Sequence, residues 1–317
     1  MALGTTIASK GVARNFAAMQ LRQAWSRAVG TVIAALSCTF IHCAHAAHGT
    51  HGSAVAPLAS RSIRADVDMV RIPGGASIAG STPAEREAAY QASLATSGSD
   101  SARRNHWFDV EAAPHPVMLG DFSIDRRPVT QAQFAGFVHA RHLYGPVIGR
   151  EAWRAQGFRQ NYDTEVVRFL WRTDQPPAGR DDHPVVLVTW AEADEFCRWR
   201  GARLPTAEEY EKAARGVEGR VYPWGDDFAA DRLNSGVAGP GDTVRVGSFP
   251  DGASPYGVLD MAGNVFHWTS TPWPGRAAQM TVKGSAWDDF AGLGRGAALH
   301  SRLRTARHVL VGFRCAM

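Results

Sequence analysis

The chain has 317 residues, of which 45% are hydrophobic and 20% charged, with 34 Lys and Arg against 30 Asp and Glu. These proportions are those of an ordinary soluble domain and argue against collagen, a coiled coil or a disordered chain. The four basic residues of the acid-free segment 1–46 account for the excess positive charge, so the rest of the chain shows no basic footprint for nucleic acid or an anionic membrane.

Residues 1–46 have the pattern of a secretory signal peptide. A basic stretch leads into the apolar run 31–41 and then into Ala44-His45-Ala46, which fits a small-residue cleavage site. The apolar run is too short to span a membrane. We therefore expect a periplasmic or secreted protein with no membrane association after cleavage. Met19 is an alternative start to Met1, and an Arg-rich, acid-poor transit peptide is the alternative interpretation of the segment.

Residues 47–66 are rich in Gly, Ala, Ser and His without apolar periodicity, which predicts a flexible lead-in. The folded domain is expected over residues 67–317. No repeat at a fixed period is visible, which argues against a solenoid or a propeller.

Three helix starts are predicted by capping boxes, in which a Thr hydroxyl and a Glu or Gln three residues later satisfy each other's free backbone N–H groups. The pairs are Thr130 with Gln133, Thr189 with Glu192, and Thr206 with Glu209. Apolar residues recur at helical spacing behind each box, so each helix is expected to bury one face.

Short β-like runs separated by Gly, Pro and Asp turns complete the pattern. They are residues 69–72, 117–119, 185–188 and 281–283. The regular strand–helix alternation of a parallel sheet is missing, which predicts an irregular α+β domain. Long connections in a compact domain tend to be functional.

Two cysteines, Cys197 and Cys315, remain once residues 1–46 are removed. An even pair in an oxidising compartment suggests one disulfide, which would close a loop of about 118 residues. Two buried free thiols are the alternative.

Four sequence runs follow one another in a distinctive order: Arg203-Leu-Pro-Thr206, Tyr222-Pro-Trp-Gly225, Asp260-Met-Ala-Gly-Asn-Val265 and Gly312-Phe-Arg-Cys315. With the other motifs of residues 67–317, this order resembles the formylglycine-generating enzyme family, also called sulfatase-modifying factors. The resemblance implies a single α+β domain, distantly similar to C-type lectins, with little regular secondary structure.

The resemblance also indicates which chemistry is missing. Enzymes of this family oxidise a sulfatase cysteine with copper(I) held by two thiolates, which are soft ligands for a soft metal. The corresponding positions in this chain are Asp288 and Leu293, so we do not expect a copper site. Cys197 and Cys315 match the family's structural disulfide instead.

Calcium is the second ion that the resemblance implies, and it takes six to eight oxygen ligands. The implied ligands are Asn234, Ser235 and Asp242 at one site, and the Asp260 side chain with the Gly263 and Val265 carbonyls at the other. His267 stands where the family has a Glu, which weakens the second site. Ordinary turn chemistry is the alternative role for Asn234 and Asp242.

The family's catalytic groove maps to the segments that follow residue 284. It supplies Asp288, Asp289 and His300 as catalytic candidates, and Trp287, Arg302 and Arg304 as binding candidates. Adjacent carboxyl groups near an imidazole suit acid–base chemistry if one pKa is raised. They suit equally a cationic ligand held beside an aromatic ring, or a solvated loop with no direct role.

The function expected from these features is that of an exported non-copper maturation or tailoring factor. Its partner would be a periplasmic protein, a peptide or a peptide-derived, siderophore-type metabolite. If it is an enzyme, the resemblance implies an oxidoreductase-like one. A non-catalytic, C-type-lectin-like binding or accessory module is the alternative.

Overall fold

The computed structural model describes residues 68–317, so the predicted signal peptide (1–46) and lead-in (47–66) lie outside the described residues. The helices are α1 (Pro83–Ser97), α2 (Ser101–Arg104), α3 (Gln131–Arg141), α4 (Arg150–Ala155), α5 (Trp190–Trp199) and α6 (Ala207–Arg215). The strands are β1 (Met69–Ile72), β2 (Gly75–Ala79), β3 (His115–Leu119), β4 (Phe122–Asp125), β5 (Phe266–Pro272), β6 (Gln279–Lys283), β7 (Leu299–Leu303) and β8 (Val311–Gly312). Within this part of the chain, no helix has the length and apolar character that crossing a bilayer requires. The predicted irregular α+β fold is confirmed.

The strands form three small sheets. Strand β1 pairs antiparallel with β4, and β2 pairs antiparallel with β3. The largest sheet has the order β7-β6-β5-β8, in which only the β5–β8 pair is parallel. Strand β6 ends just before the loop that carries the candidate carboxyl groups, and β7 carries His300 and Arg302. This sheet therefore places the candidate site.

All three predicted capping boxes are present, at the starts of α3, α5 and α6. Replacing such a cap with Ala typically costs about 1 kcal/mol, so each box fixes where its helix begins. Helix α1 is absent from the sequence-based prediction, although Thr82 and Glu85 form a fourth box with Pro83 at the first helical position. Its sequence therefore carried a readable start signal.

The main core surrounds the contact between α3, α5 and the chain's last residues. Phe134 of α3, Phe196 of α5 and Phe313 pack with ring centroids 5.3–6.2 Å apart. The predicted disulfide is confirmed: Cys197 and Cys315 are bonded within this core, with Cα atoms 5.6 Å apart and no exposed surface. The bond ties α5 to the end of the chain.

The run 185–188 is fully buried but is not a strand, so that prediction is wrong. Leu187 has φ +62°, in the left-handed region, and this interrupts the extended backbone that a strand needs. Its polar groups bond outside any sheet: the Val185 N–H donates to the Val129 carbonyl, and the Leu187 N–H donates to the His308 carbonyl over 3.1 Å. The run therefore helps to fix the segment that contains His308.

Candidate functional site

A cavity of about 320 Å³ opens between the large sheet and four segments that lie outside its strands. Its apolar wall consists mainly of the aromatic residues Trp107, Phe158, Phe266 and Phe290. Its polar wall consists of Arg159, Gln160, Asp288, Asp289, His300, Arg302 and His308. A volume of this size lies at the lower end of the range for small-molecule sites.

The two carboxyl groups lie on the loop that follows β6. The Asp288 Oδ2 accepts a hydrogen bond from the Gln160 Nε2 over 2.9 Å, and the Asp289 Oδ2 accepts one from the Ala286 N–H over 2.8 Å. Gly236 lies against the back of this loop, where a Cβ would stand 2.8 Å from the Asp288 carbonyl oxygen. A larger residue at position 236 would therefore displace the carboxyl groups.

The surroundings of Asp288 and Asp289 raise the pKa of both carboxyl groups. Burial raises the pKa of Asp288 above its ordinary value. Burial, and then the charge of the neighbouring Asp288, raise the pKa of Asp289 well above its ordinary value. Two interacting acids titrate as a pair, so such a pair is expected to retain a proton at a pH where a solvated Asp has lost it.

Two imidazoles in the cavity are held in the neutral form. Burial, and then the charge of Arg302, lower the pKa of His300 to about 3. Burial also lowers the pKa of His308 well below its ordinary value. The His308 Nδ1 lies 3.0 Å from the Leu310 N–H and accepts its hydrogen bond, which places the ring proton on Nε2. His308 therefore has a hydrogen-bond donor to offer.

Three polar atoms of the cavity-lining residues are buried without a hydrogen-bond partner. They are the Asp288 Oδ1, the Gln160 Oε1 and the Arg302 Nε. Leaving such a group unsatisfied costs about 1–3 kcal/mol each. These groups are two acceptors and one donor whose hydrogen-bonding capacity is unused in this structure.

The structure brings four of the six groove candidates together: Asp288, Asp289, His300 and Arg302. Trp287 does not line this cavity, because its ring is buried and stacks against Phe169. Arg304 lies over the Trp190 ring, with its Cζ 4.9 Å from the ring centroid, and also does not line the cavity.

The sequence-based candidates omit three polar residues of the site: Arg159, Gln160 and His308. All three lie in segments without regular secondary structure, and none belongs to a motif quoted for the family resemblance. Their position becomes visible only when segments 157–160 and 308–310 meet around the cavity.

At the first implied calcium site, the Asp242 carboxylate is already paired with two arginine side chains. Both Asp242 carboxylate oxygens accept hydrogen bonds from Arg180, over 3.0 and 2.6 Å, and Arg168 forms a further ion pair over 3.3 Å. Burial opposes ionisation, but the hydrogen bonds and charge of Arg180, together with Arg168, lower the pKa of Asp242 overall. This donor set, as arranged, does not fit a dication.

Nitrogen groups likewise surround the second implied site. The Asp260 Oδ2 accepts from the Gly247 N–H over 2.7 Å, and the Gly263 carbonyl accepts from the Val265 N–H over 2.9 Å. His267 contacts the Tyr210 hydroxyl over 2.9 Å. Among residues 68–317, no group of three or more His, Cys, Asp or Glu side chains could hold a metal ion. Calcium at the second site stays a prediction.

A copper(I) ion also finds no fitting donors at the cavity. Asp288 offers hard oxygen and Leu293 offers a hydrocarbon surface, whereas copper(I) prefers thiolates. Within the described part of the chain, both cysteine sulfurs are used in the disulfide.

Comparison with known proteins decides the family. Residues 55–317 match the family described as the Sulfatase-modifying factor enzyme 1-like domain. The chain belongs to this family. The match confirms the resemblance drawn from the motifs, and it begins inside the segment 47–66 that the sequence predicts to be a lead-in.

Relatives within the sulfatase-modifying factor family carry different functional names. The inactive C-alpha-formylglycine-generating enzyme 2 of Bos taurus is 32% identical over 247 residues, which cover 66% of this chain and 81% of that protein. The hercynine oxygenase of Mycolicibacterium thermoresistibile is 37% identical over 202 residues, which cover 56% of this chain and only 42% of that protein. Family membership alone therefore does not fix the activity.

The fold is shared with a solved structure of low sequence identity. PvdO from Pseudomonas aeruginosa superposes with a TM-score of 0.58 at 19% identity, covering 78% of this chain and 93% of that chain.

Proposed function

We propose that this protein is a tailoring enzyme that modifies a peptide or a peptide-derived metabolite by acid–base chemistry in the cavity, without a copper dithiolate. The observation that carries the proposal is the Asp288–Asp289 pair, set in an aromatic-walled cavity among three polar atoms that lack partners. Pairs of acids with raised pKa values are typical of sites that transfer protons.

The unpartnered atoms support an amide-containing substrate. With a side-chain rotation that turns these buried atoms into the cavity, an amide N–H would donate to the Asp288 Oδ1 or to the Gln160 Oε1, and its carbonyl would accept from the Arg302 Nε. The aromatic rings would contact the apolar parts on either side of that amide. A neutral amide also suits the charge of the cavity. The Arg302 guanidinium already offsets the charge of an ionised carboxyl group, so an uncharged ligand leaves no buried charge without a partner.

The roles within the pair follow from its electrostatics. Asp289 carries the more strongly raised pKa and is the proton donor. Asp288, held by Gln160, is the member that ionises more readily and accepts a proton. Neutral His300 and His308 add hydrogen-bonding groups without adding positive charge beside the substrate.

We propose in addition that the protein works outside the cytoplasm, in the periplasm or secreted. The disulfide supports this, because such bonds persist mainly in oxidising compartments. Cell fractionation with mass analysis of the mature N-terminus tests it: cleavage near residue 46 is expected, and an uncleaved cytoplasmic chain would contradict it.

The activity is tested by gene deletion and complementation. Extracts of the deletion strain are compared by mass spectrometry with strains that carry the wild-type, Asp288→Asn or Asp289→Asn protein. We expect one peptide or metabolite to accumulate unmodified in the deletion strain and in both variants, and to be converted by the wild type.

Asp251→Asn is the matched control, because Asp251 is an exposed carboxylate outside the cavity. It should restore full conversion at the same protein abundance. If Asp288→Asn and Asp289→Asn also restored full conversion, the pair would not be the reacting group. A ligand bound equally well by the wild type and both variants, with no product in any strain, would favour the binding-module alternative.

A further inference from the structure

The contact between Arg180 and Asp242 lies outside the cavity and has no role in the proposed reaction. The two guanidinium Nη atoms of Arg180 donate to the two carboxylate oxygens of Asp242 over 3.0 and 2.6 Å. Arg180 also donates to the Thr243 hydroxyl over 3.1 Å, and the Thr243 N–H donates to the carboxylate over 2.6 Å. A planar guanidinium matches a carboxylate in this way, whereas a Lys ammonium does not.

A second guanidinium completes the arrangement. Arg168 forms an ion pair with Asp242 over 3.3 Å and donates to the Gly241 carbonyl over 2.9 Å. Both Arg side chains lie over the Phe169 ring, with their Cζ atoms 4.8 Å (Arg180) and 5.1 Å (Arg168) from its centroid. Stacking on one ring holds the two positive charges beside a single carboxylate.

The loop around these charges retains oxygen atoms that suit a cation. The Asn234 Oδ1 is buried with no partner, while the Nδ2 of the same amide donates to the Asp242 carbonyl over 2.8 Å. The Arg168 and Arg180 side chains are only 32% and 16% exposed, so solvent screens their charges weakly. A dication beside Asp242 would be repelled by both.

We propose that the guanidinium groups of Arg180 and Arg168 take the place beside Asp242 that the family resemblance gives to calcium. The wild-type protein then holds this loop without calcium, and removing the two positive charges creates a calcium-responsive site. The oxygen donors left for the ion would be the Asp242 carboxylate, the Thr243 hydroxyl and the Asn234 Oδ1.

The test is the thermal unfolding of the full chain in EDTA and in millimolar CaCl2. The wild type should show the same Tm in both buffers. The Arg168→Ala/Arg180→Ala variant should have a lower Tm in EDTA and regain about 3 °C or more in CaCl2, as expected for an ion that binds only the native state. Arg180→Gln, a milder change, is measured alongside in case the double variant does not fold.

Arg245→Ala is the matched control, because Arg245 pairs with Asp182 on the surface with both side chains more than half exposed. It should show no calcium response. A calcium-dependent Tm in either the double variant or Arg180→Gln supports the proposal, and no response in either overturns it. Equilibrium dialysis of the wild type and of Asp242→Asn with radioactive calcium decides independently: stoichiometric binding by the wild type that Asp242→Asn abolishes would overturn the proposal even if neither Arg variant folds.

Discussion

Removing the disulfide between Cys197 and Cys315 should lower stability substantially, because the bond closes a long loop. The two cysteines are 118 residues apart in sequence. The chain-entropy model assigns a loop of this length about 5 kcal/mol at 25 °C. For a domain of roughly 250 residues, the unfolding entropy converts that loss into a fall in Tm of about 10 °C. Ala is the appropriate replacement, since both cysteines are fully buried and Ser would add unpaired hydroxyl groups.

The assay is thermal unfolding followed by circular dichroism, on the wild type with and without reductant and on the Cys197→Ala/Cys315→Ala variant. Reduced wild type and variant should unfold at similar temperatures, both well below the oxidised protein. The variant should not respond to reductant, which serves as the internal control. If all samples unfolded within about 2 °C of one another, far inside the expected shift, the disulfide would not constrain the unfolded chain as argued.

Three further predictions concern buried ionisable groups. Burial, and then the charge of Asp288, raise the pKa of Asp289, so the stability of the wild type should fall as pH rises above the ordinary value of 3.8. Between pH 4 and pH 8, the stability of Asp289→Asn in urea unfolding should therefore increase relative to that of the wild type. An unchanged difference between the two proteins would contradict the raised pKa. Burial, and then the charge of Arg302, lower the pKa of His300 to about 3, so protonation of this ring is coupled to unfolding. The stability of the protein should fall as pH drops from 6.5 towards 3. NMR should show no titration of the His300 ring near pH 6.5, and a titration midpoint there would refute the lowered pKa. Glu111 accepts two hydrogen bonds from Arg295, and both side chains are almost fully buried. Glu111→Leu leaves the Arg295 charge buried without a partner and should cost about 3–5 kcal/mol in urea unfolding, whereas Glu111→Leu/Arg295→Met should cost much less. Equal losses would show that the unpaired charge of Arg295 is not the cause.

Features that depend only on neighbouring residues were predictable from the amino-acid sequence. The capping boxes at Thr130, Thr189 and Thr206 were readable because each hydrogen-bonded pair is only three residues apart. The disulfide was predictable because parity and compartment left one pairing, and the family resemblance pointed to the same one. The α+β class followed from the mixture of short apolar runs and capped helices.

The local sequence pattern gave a wrong prediction where the backbone conformation depends on hydrogen-bond partners from distant segments. The run 185–188 has the composition of a buried strand, yet Leu187 adopts a left-handed conformation and its N–H bonds to the His308 carbonyl. Apolar periodicity reports burial, and this run is fully buried as its composition predicts. Apolar periodicity does not predict which carbonyl accepts the hydrogen bond of a buried N–H.

The composition of the site depends on how distant segments pack together. Asp288, Asp289, His300 and Arg302 were candidates because the family motifs placed them near one groove, but Gln160 joins them from more than a hundred residues away. In the same way, the family resemblance implies Asp242 as an oxygen ligand, but the fold brings Arg180 onto its carboxylate from 62 residues earlier in the chain. The chemistry of each carboxylate is set by the charges and apolar surfaces packed against it, and these come from segments whose meeting no local spacing encodes.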